Sequence, residues 1–173
     1  MQKQTAVVKA EPSKKENAKL IGIFLFLITS ATLMGTLNSF NAVEWVRWFM
    51  GGLLIIFGGL KLLGIEVFIK VFPLYDLIAK RVAVYKYIYP LLQVLLGMFF
   101  LIGALGVIRD LTVIIIGLSG LIGMVKIVSK RGAIRLSYLG TILRLRFSTV
   151  VLIENTLMIC LGLIMMISEA FFK

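Results

Sequence analysis

A recurring length limits the fold of this chain more than any other feature. Five apolar stretches approach or reach about twenty residues, the length an α-helix needs to cross a hydrocarbon layer about 30 Å thick at 1.5 Å per residue. They run over residues 20–37, 45–63, 88–108, 111–128 and 147–167. Polar punctuation separates them. "NSFNAVE" reads as a tight turn between the first two, and Arg109-Asp110 as a tight turn between the third and fourth. The connections 66–84 and 129–146 are longer and basic. Composition agrees with a bilayer as solvent. Of 173 residues, 60% are hydrophobic and 16% charged, against roughly 45–50% apolar and about 25% charged in soluble domains. A domain this small has too much surface to hide that excess in a core. The expected fold class is an all-α integral membrane protein with five spans.

The chain carries a net charge of +11, and the distribution of that charge argues for a membrane surface and against nucleic acid. Sixteen of the nineteen Lys and Arg residues lie in or flank the N-terminal tail and the two longer connections. Arg47, Arg109 and Lys173 fall on the other side. By the positive-inside rule the N-terminus is cytoplasmic and the C-terminus outside, which needs an odd number of spans. The expected location is the inner (plasma) membrane, with anionic lipids beside the cytoplasmic cations. Residues 1–19 are polar and are read as a disordered cytoplasmic tail ahead of a helical membrane domain, 20–173. A signal peptide is the rival reading of the first span. Its polar lead-in and apolar run are both long for that, and no small-x-small cleavage site follows, so a retained helix is expected.

Aromatic residues mark the interfaces. Trp45 and Trp48 open the second span, and Tyr85, Tyr87 and Tyr89 gather before the third. Proline is tolerated in a first turn, so Pro90 places the start of that helix near Tyr89. Residues 65–84 have apolar positions at helical spacing with charges between them. They read as two short amphipathic pieces at the interface, divided by Pro73, with an extension of the second helix as the alternative. Small residues let membrane helices approach. Gly51-Gly52 and Gly58-Gly59 share one face of the second span, and Gly117, Gly120 and Gly123 one face of the fourth. Close contact between the second and fourth helices is therefore expected.

Ionisable groups at membrane depth are costly and face a partner or a cavity. Glu154 lies roughly 10 Å into its helix. At similar height come Lys61, Gln93 and Lys126 from three other helices, with Asn155 beside Glu154. One reading makes Lys61, Gln93, Lys126, Glu154 and Asn155 a satisfied layer that sets helix register while the lysines snorkel outward. The other makes it a ligand site or proton relay. A lone acid without histidine or a second acid relays poorly, which favours the first. Histidine is absent and Cys160 is the one cysteine. No metal site, disulfide or cofactor is implied, and the chain points away from an enzyme. Cys160 reads as a small apolar filler, and Met158, Met165 and Met166 as packing.

The run "FMGGLLIIFGGLKLLGIEVFIKVFPLYDLIAKRVAVYKYIYPLLQVLLGMFFLIG" resembles the first half of MauE/DoxX-type membrane proteins, and "LSYLGTILRLRFSTVVLIENTLM" their closing region. "YDLIAKR…YKYIYP" is the most specific part. The resemblance implies a four-helix membrane bundle, with 20–37 an added N-terminal transmembrane helix. Members of that family are associated with redox maturation, quinone-linked sulfur oxidation or neighbouring thiol proteins. Relatives often carry Cys-x-Cys where this chain has Leu136-Ser137-Tyr138, and a glutamate where it has Gln93; Glu154 is kept. The resemblance therefore implies a scaffold without the redox pair. The expected function is a non-catalytic accessory or assembly subunit that packs against a partner membrane protein, a redox complex or a second copy. The alternative is a small-molecule, quinone or ion binding or transport protein centred on Glu154. A thiol oxidoreductase would need Cys160 to work with a partner's thiol.

Overall fold

The computed structural model describes residues 14–37, 41–131 and 147–171. Among these described residues are six helices: α1 (Lys14–Leu37), α2 (Ala42–Leu63), α3 (Ile65–Tyr75), α4 (Tyr85–Ile102), α5 (Gly106–Arg131) and α6 (Phe147–Phe171). All but α3 are long and apolar enough to cross a membrane, and the chain is a multi-pass membrane protein. Each apolar run becomes a helix for the same reason: in hydrocarbon only intrahelical hydrogen bonds can satisfy every backbone N–H and C=O of a single segment.

Four helices form a ring. α2 packs on α4, α4 on α5, α5 on α6, and α6 closes back on α2. The short turn from Ile102 to Gly106 makes α4 and α5 sequential neighbours, while the α2–α4 connection carries α3. α1 stands outside the ring against α2, burying Leu27 and Ala31, with Leu27 over Gly52.

The expected contact between the second and fourth spans does not form. α2 and α5 lie across the ring's diagonal and are not neighbours among the described residues. Each glycine face has another partner. A Cβ on Gly97 of α4 would come within 2.8 Å of the Gly51 carbonyl, and one on Gly51 within 3.0 Å of the Gly97 carbonyl. α2 and α4 thus meet backbone to backbone. On α5, Gly117 lies under the Asn155 carbonyl, Ile159 and Met158, and Gly120 under the Asn155 side chain. A small-residue face licenses close approach without choosing the partner; the chain connectivity chooses it here.

Several boundaries depart from the sequence reading. α1 begins at Lys14, so the last six residues of the expected tail are helical; "KKENAK" is rich in good helix formers. Residues 1–13 lie outside the described residues, as does most of the basic 129–146 connection (132–146). α4 starts at Tyr85, a turn earlier than Pro90 suggests, and Pro90 is buried inside it. α3 is a single helix distinct from α2 and runs two residues past Pro73; the break comes at Asp76.

The turn between the third and fourth spans lies earlier than Arg109-Asp110. α4 stops at Ile102, and the chain reverses through Gly103 (φ 70°), Ala104, Leu105 (φ 64°) and Gly106 (φ 34°). Gly103 takes the left-handed conformation common just past a helix end. Leu105 holds a positive φ that leucine rarely adopts. Arg109 and Asp110 consequently fall in the first turns of α5, fully buried.

Candidate functional site

Three of the five residues expected in the polar layer come together in the ring's interior. Lys61 ends α2, Gln93 lies two turns into α4, and Glu154 two turns into α6. None is more than 2% exposed. The Lys61 ammonium pairs with Glu154 Oε1 and donates to Gln93 Oε1 at 2.6 Å. Gln93 Nε2 donates to the same Glu154 oxygen at 2.5 Å. The three groups form a closed triangle in which the amide uses both ends. The Gln93–Glu154 bond spans the diagonal from α4 to α6, and Lys61 ties in α2. Lys61 therefore turns inward and does not snorkel.

The other two expected members lie elsewhere. Lys126 is exposed on α5, a turn beyond the point where that helix meets the α3–α4 link. Asn155 is buried against the Gly120 face. Its Nδ2 donates to its own helix at Val151 O, 2.7 Å, and its Oδ1 finds no hydrogen-bond partner among the described residues. Adjacent helical positions differ by about 100° around the axis, so Glu154 and Asn155 face different neighbours.

An aromatic cluster closes the triangle toward the α3 end of the bundle. The Tyr89 ring lies 5.0 Å from Lys61 Nζ, a cation–π distance. It packs 4.4 Å from Phe72 and 5.7 Å from Phe68, between ring centroids. Tyr85 and Tyr75 extend the cluster. Only Tyr87 of the expected interfacial trio is largely exposed; Tyr89 is core. Its place on the buried face of α4, four residues before Gln93, was the available signal. Burial, and secondarily the Glu154 charge, push the Tyr75 phenol well above its ordinary pKa.

A second polar knot anchors α3 to α5. Asp76 Oδ1 accepts from the backbone N–H groups of Ile78 (2.9 Å) and Ala79 (2.8 Å), capping the turns that follow α3. Its Oδ2 accepts from Ser119 Oγ at 2.9 Å, and that hydroxyl also accepts from Ile78 N–H at 3.1 Å. Gly123, one turn along α5, lies directly against the Tyr75 carbonyl, where a Cβ has no room. Asp76 is fully buried. Burial raises its pKa, against the opposing hydrogen bonds from Ala79, Ser119 and Ile78. An Asp shortly after Pro73, a residue type that caps the backbone two or three residues on, was the readable trace of this cap.

A third knot occupies the opposite end of the bundle. The Arg109 guanidinium pairs with Asp110 (2.9 Å) and Glu169 (3.0 Å). It also donates to the Ala104 carbonyl at 3.3 Å and the Phe99 carbonyl at 3.5 Å, and its Cζ lies 4.1 Å from the Phe100 ring centroid. One side chain thus holds the end of α4, the strained turn, α5 and α6. Reading Arg109-Asp110 as a solvated turn concealed it.

Cys160 is exposed on α6 and is not core filler, whereas Met158 and Met165 are core residues. No group of three or more His, Cys, Asp or Glu residues placed to hold a metal occurs among the described residues. No family model, curated protein or solved structure matches this chain.

Proposed function

We propose that the chain is a non-catalytic accessory or assembly subunit of a membrane complex, a MauE/DoxX-like bundle without the Cys-x-Cys pair. It lies in the inner membrane with its N-terminus cytoplasmic, its C-terminus outside and its cation-rich connections beside anionic lipid. The reading rests chiefly on how the deepest charges are used. Lys61, Gln93 and Glu154 are directed at one another within the ring, in the geometry of a register pin. Support for the orientation comes from the sixteen-to-three partition of Lys and Arg. The family reading is carried by the sequence resemblance alone, "YDLIAKR…YKYIYP" above all.

Deleting the chain is expected to lower the abundance or activity of a membrane complex that co-purifies with it in mild detergent. Glu154→Gln is expected to lower the level of this chain and of that complex in proportion. If Glu154→Gln leaves the level intact yet abolishes a transport or redox phenotype, Glu154 serves a ligand or ion and the accessory reading fails.

A further inference from the structure

The link from α3 to α4 leaves an open cleft of about 510 Å³ against α5, lined by Leu77, Ile78, Lys80, Arg81, Val82 and Lys126. The Asp76 knot creates it. Asp76 and Gly123 pin the start of the link to α5, and Lys126 follows Gly123 by three residues, close to one helical turn. Two walls therefore meet there, one bringing Lys80 and Arg81, the other Lys126. All three cations are exposed. Among the described residues no carboxylate lines the cleft, and the nearest in sequence, Asp76, is buried with both oxygens engaged. The remaining lining is apolar, from Leu77, Ile78 and Val82.

Its depth is set by the spans around it. The link lies between the span ending at Leu63 and the one beginning at Tyr85, while Lys126 sits in the last turn of the span ending at Ser129. Cations from two elements over an apolar wall, at the rim of the hydrocarbon, fit a ligand with a phosphate at one end and a chain at the other. A free anion would use only the cations. We propose that this cleft binds the phosphate of an anionic phospholipid, with the start of its acyl chains against Leu77, Ile78 and Val82. The proposal rests on the chain being a membrane protein, and neither on its accessory role nor on which side the cleft faces.

The test is native mass spectrometry of the full chain in detergent, titrated separately with phosphatidylglycerol, phosphatidylcholine and inorganic phosphate. Phosphatidylglycerol is expected to bind in preference to phosphatidylcholine, without displacement by inorganic phosphate. Arg81→Gln with Lys126→Gln, one cation from each wall, should weaken it roughly tenfold or more, at about one kcal/mol per cation. Lys70→Gln with Lys86→Gln removes the same charge outside the cleft and should change binding clearly less than the cleft pair does. Arg81→Lys with Lys126→Arg should retain it, separating charge from folding. Equal losses in the two Gln pairs would assign the preference to diffuse surface charge and overturn the site. Displacement by inorganic phosphate would make it a free-anion site and overturn the lipid proposal.

Discussion

Lys61 and Glu154, 93 residues apart, form a buried ion pair that joins the two glycine-packed halves of the bundle. Lys61 belongs to the α2/α4 pair and Glu154 to the α5/α6 pair. Inside each pair the glycines bring the backbones close; between the pairs, the Lys61–Glu154 and Gln93–Glu154 contacts set the register. A buried ion pair is a poor source of net stability but a strict demand for its partner.

Glu154→Gln should therefore destabilise the bundle by about 3–5 kcal/mol, because it leaves the Lys61 charge buried and unpaired. Lys61→Met together with Glu154→Gln should recover most of that loss, with the new amide still able to accept from Gln93. Thermal unfolding of the single and double variants in one detergent provides the cycle. Additive losses would show that the two residues do not act on each other.

The glycines of α2 and α4 are not equivalent. Gly97→Val on α4 places a Cβ within 2.8 Å of the Gly51 carbonyl and should force α2 and α4 apart, lowering yield and melting temperature. Gly59→Ala meets nothing within 4 Å and should be neutral or stabilising by up to about 1 kcal/mol through helix propensity. Similar melting temperatures for the two variants would contradict the backbone contact.

Two arginines near one end of the bundle should respond differently to removal. Arg109 is buried and holds two carboxylates and two carbonyls, so Arg109→Gln should cost about 3 kcal/mol or more. Arg47 pairs with Glu44 while its side chain keeps 25% exposure, so Arg47→Gln should cost about 1 kcal/mol or less. Detergent unfolding of the two variants measures the gap, and equal costs would refute the anchoring role of Arg109.

Asp76 gives stability a pH dependence of known sign. Its folded-state pKa is raised by burial, so the native protein binds its proton more tightly than the unfolded chain does. Below the ordinary aspartate value both states are protonated and the contribution is fully present. As pH rises through the raised value the native carboxyl must ionise, and the contribution is lost. Stability should fall across that window in the parent protein and lose that slope in Asp76→Asn. An unchanged slope in the variant would assign the titration to another group.

The span count and the class of the fold were legible in the chain, because crossing hydrocarbon is a local demand: about twenty apolar residues with an internally bonded backbone. Glu154 was legible as an anomaly for the same reason, a charge where the surroundings are apolar. Facing was not. Lys61 and Lys126 look alike in sequence, each near the end of a glycine-rich helix, yet one completes a buried triangle and the other lines a surface cleft. Gly51 found Gly97 and not the matching face of α5, and Arg109 moved from an expected turn into the core once the chain reversed at Gly103. Rotation about a helix axis and choice of neighbour depend on groups many residues away, so only the assembled bundle decided them.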